Sequence, residues 1–282
     1  MFDGFVMERR RVGDVELRVR IGGSGRPLLL LHGHPQTHAM WHLVAPSLAE
    51  RHTVVVPDLP GYGESTPIGS GSIDGSKRAM ARVMVALMAS LGHQRFDLAG
   101  HDRGGRVGYR LALDDPERIR RLAVLDIVPT AEMWRRMNTS LAMANWHWLF
   151  LAQAAPMPER LLSADPEAYY YRDRRERFHP EALADYLAAC RRPEVIHAMC
   201  QDYRAGATLD RQLDEADAAA GRRIAAPLLA LWSAEGEIAN WDPIQVWRAW
   251  AEDVTGRELA CGHYLAEEAP DVVIAELRRF LG

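Results

Sequence analysis

The chain has 282 residues, of which 48% are hydrophobic and 26% charged, enough apolar material for the substantial core of a soluble globular protein. Its formal net charge of -4 excludes the basic balance that draws a protein to nucleic acid or an anionic membrane, so the expected partner is a small molecule. The length exceeds the usual size of one domain, so a single domain with an insertion competes with two domains.

The start, Met1 to Phe5, holds an acidic residue and no apolar run, which argues against a secretory signal. Val15, Leu17, Val19 and Ile21 alternate with Glu16, Arg18 and Arg20 after a Gly13-Asp14 turn, which predicts a half-solvated antiparallel strand. Leu28 to Leu31, Thr53 to Val56, Phe96 to Ala99, Leu122 to Ile127 and Pro227 to Trp232 are short apolar runs, as parallel strands covered on both faces require. Between them, 76 to 91 places Met80, Val83, Met84, Leu87 and Leu91 at helical spacing, and 104 to 113 and 266 to 281 read similarly. This alternation predicts an α/β fold with a mostly parallel, doubly wound sheet. A Gly- and Ser-rich loop is expected over 69 to 76.

The alternation fails from 130 to 221, where Asp165-Pro166, His179-Pro180 and Arg192-Pro193 mark helix boundaries. That segment predicts a helical cap (130 to 221) inserted into a core built from 1 to 129 and 222 to 282. The apolar stretch Trp146 to Ala155 is short and interrupted by His147 and Gln153, so no membrane span is expected. Cys190, Cys200 and Cys261 lie far apart without metal-ligand spacing, which predicts free thiols, a reducing compartment and a cytoplasmic protein.

Gly100-His101-Asp102-Arg103-Gly104 follows an apolar strand and precedes a helix, the pattern of a strand-turn-helix nucleophile elbow. Asp stands where a hydrolase of esters would carry Ser. A carboxylate suits displacement at saturated carbon, so carbon-halogen bonds and epoxides are the indicated targets. The resulting ester of Asp102 must be hydrolysed by activated water, and His263, between the last apolar stretch and the final helix, is the candidate base. For the carboxylate that orients it, Asp126 competes with Glu235 or Glu237, and spacing alone does not choose. Leu31-His32-Gly33-His34-Pro35 is similar to an oxyanion loop, offering the backbone N–H of His34 beside that of Arg103 for the tetrahedral intermediate on the Asp102 carboxyl carbon. A purely structural role beneath that loop is expected for His32.

With these motifs in place the chain resembles the haloacetate dehalogenases, including fluoroacetate-hydrolysing members, of the α/β-hydrolase fold. The resemblance runs over nearly the whole chain and is carried by His32-Gly33-His34-Pro35-Gln36-Thr37, Asp58-Leu59-Pro60-Gly61-Tyr62-Gly63, Gly100 to Arg106, Leu125-Asp126-Ile127-Val128-Pro129-Thr130, Trp146-His147-Trp148 and Asp202-Tyr203-Arg204-Ala205-Gly206. It implies that Asp126 is the triad acid, that Arg103 and Arg106 grip the substrate carboxylate, and that His147, Trp148 and Tyr203 bind the departing halide. It also implies a homodimer. Two guanidiniums beside the nucleophile suit a carboxylate through charge-assisted hydrogen bonds, whereas Trp146 and Phe150 are expected to pack in the cap core. The sequence departs from the family in His34 and Tyr264, each where relatives carry Phe, and in a cap segment between Tyr171 and Phe178 that is shorter and lacks a tryptophan.

The expected reaction converts a small 2-halo carboxylate to the 2-hydroxy acid and halide, with no metal or organic cofactor. The rivals are an epoxide hydrolase using the same Asp102 and a non-catalytic ligand-binding protein of this fold.

Overall fold

The computed structural model describes residues 1–69, 75–172 and 175–282. The Gly- and Ser-rich loop therefore falls largely outside the described residues, as do positions 173 and 174 of the cap segment compared above. Eight strands form one sheet among the described residues: β1 (Phe5–Val12), β2 (Val15–Gly22), β3 (Arg26–Leu31), β4 (His52–Pro57), β5 (Phe96–His101), β6 (Ile119–Leu125), β7 (Leu228–Ser233) and β8 (Val254–Leu259). Their order is β1-β2-β4-β3-β5-β6-β7-β8. β2 pairs antiparallel with β1 and β4, and every pair from β4 to β8 is parallel.

Each predicted apolar run overlaps a strand, with ends that differ by no more than three residues. β3 and β5 carry fully buried Leu28 to Leu31 and Phe96 to His101, because helices cover both faces of the parallel part of the sheet. Two strands had no counterpart among the predicted elements. β1 carries Glu8, Arg9, Arg10 and Arg11, and most of β8 is exposed, so neither shows an apolar run. Both are edge strands with one neighbour, where charge is tolerated and keeps the edge from pairing with other chains.

The helices Lys77–Ser90 and Arg103–Asp114 lie where the spacing puts them. The single helix expected over 266 to 281 is instead two, Leu265–Glu268 and Pro270–Leu281, since Pro270 lacks the N–H that would continue the first and starts the second. Between β6 and β7 the described residues form eight α-helices and no strand. Three of these begin at Pro166, Pro180 and Pro193, the predicted boundaries, and Asp165 accepts from Ala168 N–H as a side-chain cap (3.0 Å). No helix among the described residues is long and apolar enough to cross a membrane.

The carboxyl ends of β3, β5, β6 and β8 point to one side of the sheet, where open α/β sheets place their ligands. At the end of β5 the chain turns sharply into the Arg103–Asp114 helix. Asp102, the residue at the turn, has φ 44° and ψ -114°. The turn exists because the helix start can press onto β3: a Cβ at Gly104 would lie 2.5 Å from the carbonyl oxygens of both Leu31 and His32. Gly104→Ala is therefore expected to lower stability by about 1 to 3 kcal/mol through overpacking against backbone. An unchanged thermal unfolding midpoint would show that this approach is not structural.

Candidate active site

Asp102 borders a cavity of about 480 Å³ that is also lined by His34, Arg106, Asp126, His147 and His263. Its side chain is only 8% exposed. The backbone N–H of His34 donates to Asp102 Oδ1 at 2.9 Å. The carboxylate also sits at the first turn of the following helix, whose dipole favours negative charge. Burial alone would raise the Asp102 pKa, but the opposing charge of Arg103, with that of Arg106 adding to it, holds it well below the usual carboxylate range. A buried group is thus kept ionised while facing open space.

His263 and Asp126 follow two other strands, β8 and β6. His263 Nδ1 lies 2.6 Å from Asp126 Oδ2. A carboxylate only accepts, so Nδ1 carries the hydrogen and Nε2 keeps the lone pair. Asp126 follows β6 with φ 53°, and the Ser233 N–H at the end of β7 donates to its Oδ1 (2.9 Å), so both oxygens are fixed. Glu235, which spacing could not separate from Asp126, is exposed on the cavity wall, and Glu237 stands beside it.

His32 lies beneath this site as a structural element. The Leu59 N–H donates to its Nε2 (2.9 Å), which leaves Nδ1–H to donate to the Gly33 carbonyl (2.9 Å). The neighbouring His34 ring packs edge-on against Tyr203 and Tyr170, with centroids 5.0 and 5.2 Å away. Burial, followed by His147, pushes its pKa down to about 3, so it is neutral in the working range.

The two arginines, paired in the sequence reading, occupy different places. Arg106 is on the cavity wall, its Nη1 donating to Val128 O (3.0 Å) and Thr130 Oγ1 (3.1 Å), with the guanidinium 4.7 Å from the Trp148 ring centre. Arg103 is fully buried and is not among the lining residues: its guanidinium lies 3.5 Å from the Tyr203 ring centre. The cause is Asp202, a buried carboxylate that takes Arg103 Nη1 at 3.3 Å, Lys77 Nζ and the Tyr62 hydroxyl (2.7 Å) as partners. Of the two arginines expected to grip a substrate carboxylate, Arg106 lines the cavity and Arg103 stands behind its wall, beside Asp102.

His147, Trp148 and Tyr203 converge on the cavity, with Tyr203 centroids 5.8 Å from His147 and 6.0 Å from Trp148. Burial raises the Tyr203 pKa, so its hydroxyl keeps its hydrogen. Trp146 is not in a core: it is 51% exposed and borders the cavity, whereas Phe150 is partly buried against the core as expected. Met133, Tyr170, Ile238 and Tyr264 also line the wall. Of these only Tyr264 stands out in the sequence, because residues brought to a wall by tertiary packing carry no local motif. Among the described residues no group of three or more His, Cys, Asp or Glu side chains is arranged to hold a metal ion. Cys190, Cys200 and Cys261 are buried and unpaired.

Comparisons with known proteins agree with this architecture. The family model of the α/β-hydrolase fold matches residues 26–270. A fluoroacetate dehalogenase from Burkholderia sp. is 43% identical, covering 100% of this chain and 95% of the relative. A soluble epoxide hydrolase from Corynebacterium sp. (strain C12) is 32% identical over 92% of this chain and 91% of its own. A solved structure from Nostoc sp. PCC 7120, provisionally described as an α/β hydrolase, superposes with a TM-score of 0.96 at 44% identity, covering 100% of this chain and 99% of that one.

Neutral buried imidazoles have a consequence for stability. Burial lowers the folded-state pKa of His34 to about 3 and of His101 to about 4, both below the unfolded value of 6.5. The unfolded chain therefore binds more protons below that value, and stability is lost as pH falls from 6.5 towards the folded pKa. At pH 5 each ring should cost about 2 kcal/mol relative to neutral pH, from 1.36 kcal/mol per pKa unit. Urea unfolding of the unmodified protein and of His34→Phe at pH 7 and 5 checks this: the variant should lose less stability on acidification, and equal losses would refute it.

Proposed function

The chain belongs to the haloacetate dehalogenase family of the α/β-hydrolase fold, and from that premise we propose that it hydrolyses a small 2-halo carboxylate to the 2-hydroxy acid and halide through an ester of Asp102. The observation that carries the reading is an ionised Asp102 at the elbow, facing one cavity together with a His263–Asp126 pair and the Arg106 cation. Residues 1 to 129 and 222 to 282 act as the hydrolase core, and 130 to 221 as the cap that supplies His147, Trp148 and Tyr203.

In this reading the substrate carboxylate binds Arg106, with the charge of Arg103 behind it, and the halogen points to His147, Trp148 and Tyr203. Carbon two then lies in line with Asp102. Oδ1 already accepts from His34 N–H, which leaves Oδ2 to attack. The new C–O bond forms as the carbon-halogen bond breaks, and the halide departs among N–H and O–H donors that carry no compensating negative charge. His263 Nε2 then takes a proton from water, Asp126 stabilising the imidazolium, and the hydroxide adds to the Asp102 carboxyl carbon. The oxyanion is met by the backbone N–H groups of His34 and Arg103. Collapse releases the 2-hydroxy acid, whose oxygen takes the proton back from His263, and Asp102 sheds the proton that came with the hydroxide to solvent and is again a carboxylate.

An epoxide would use Asp102 and His263 equally well, but it would leave Arg106 on the cavity wall with no anion to meet. A non-catalytic binding protein would have no need of an intact His263–Asp126 pair. The three buried thiols fit a reducing compartment, so the proposed location is the cytoplasm. The proposed homodimer is carried by the family resemblance alone.

Assays of halide release from chloroacetate and fluoroacetate, with diol formation from a styrene-type epoxide alongside, test the reading. Halide release abolished by Asp102→Asn supports it; diol formation alone selects the rival, and neither product points to a binding protein. His263→Asn should form the ester without hydrolysing it, visible as a stable mass increase on the Asp102 peptide. Arg106→Leu removes a charge-assisted contact of about 1.5 to 3 kcal/mol and should lower kcat/KM on a haloacetate about 10- to 100-fold, a decade per 1.36 kcal/mol. A smaller effect than threefold would remove Arg106 from the site.

A further inference from the structure

We propose that His101 is a positioning residue for the second half-reaction, its Nε2–H holding the backbone carbonyl of His263 and thereby fixing where the base stands over Asp102. The inference rests on the function proposed above but uses atoms to which that reading gives no role.

His101 is the last residue of β5, directly before the nucleophile, and is completely buried. Its Nε2 lies 2.7 Å from the His263 carbonyl oxygen. A carbonyl can only accept, so the hydrogen is on Nε2 and the ring is the neutral tautomer with a lone pair on Nδ1. The two imidazole rings also pack together, with centroids 4.6 Å apart at 49°.

This contact matters because of where His263 sits. It lies between the end of β8 at Leu259 and the helix Leu265–Glu268, in backbone that belongs to neither. Asp126, from the end of β6, holds the ring by Nδ1. That bond acts on the side chain's outer edge, and a second contact acts on the backbone beneath it. His101, from the end of β5, pins that backbone, while Glu268 Oε2 takes the neighbouring Gly262 N–H at 2.5 Å. The strand that carries the nucleophile thus also locates the base, so one rigid element sets their separation.

Neutrality is part of the arrangement. Burial, and then His263, push the His101 pKa down to about 4. An imidazolium here would add positive charge beside Asp102 and compete for the nucleophile.

Displacement of halide needs Asp102 but no base, whereas hydrolysis of the ester needs His263 in place. Loss of the His101 contact must therefore slow the second step more than the first. Pre-steady-state halide release from chloroacetate gives both rates from one trace, the burst reporting displacement and the linear phase reporting hydrolysis. For His101→Leu the ratio of displacement to hydrolysis rate should rise at least tenfold, with the Asp102 ester accumulating in the mass spectrum. His101→Gln, whose amide N–H can take the place of Nε2–H, should restore most of the ratio, and His101→Asn, whose shorter side chain cannot, should not. A ratio unchanged in all three variants, or an equal fall in both rates, overturns the proposal while leaving the dehalogenase reading intact. Absence of halide release from the unmodified enzyme overturns both. If His101→Leu does not fold, the Gln and Asn variants decide between the same outcomes.

Discussion

A carboxylate that is nearly buried must stay ionised with one oxygen free, and the other parts of the site can be read as answers to that demand. Desolvation alone would make Asp102 a neutral acid and a poor nucleophile. Guanidinium charge from Arg103 and Arg106, a helix start and the His34 N–H counter that tendency, and the turn geometry keeps the group facing the cavity rather than folded into an ion pair. The backbone at φ 44° is uncommon for a residue with a Cβ and persists because Gly104 lets helix and sheet close on either side of it.

Buried charge has to be balanced in layers. Arg103 would be costly inside the protein without Asp202, and Asp202 without Lys77 and Tyr62. The chain of alternating charges runs from the cavity into the contact between two helices, since Asp202 belongs to the helix Pro193–Ala207 and Lys77 to the helix Lys77–Ser90. Removing one member leaves a partner unpaired, so the helix Pro193–Ala207 and the turn at Asp102 are energetically tied.

Much of this is legible in the residues themselves. The elbow was legible because its glycines are local, and the parallel strands because burial on both faces leaves an apolar run. The edge strands β1 and β8 were not, since an edge needs no such run and carries charge instead. Asp126 and Glu235 both follow strand ends, and only the 2.6 Å contact with His263 separates them. Likewise Arg103 and Arg106 look alike as letters; their different directions depend on Asp202, about a hundred residues further along the chain. The sequence alone places Trp146 in a core because a large aromatic ring is usually packed there, while its exposure at the cavity depends on how the surrounding helices pack.

The fate of one oxygen atom tests the central claim, that Asp102 itself bonds to carbon. Enzyme in excess over chloroacetate, in water enriched in oxygen-18, permits a single turnover, after which glycolate and the peptide containing Asp102 are weighed by mass spectrometry. If Asp102 attacks and water then opens the ester at its carboxyl carbon, the glycolate is unlabelled and the peptide gains one heavy oxygen. Labelled glycolate beside an unlabelled peptide would mean that water attacks the substrate directly and that Asp102 is not the nucleophile.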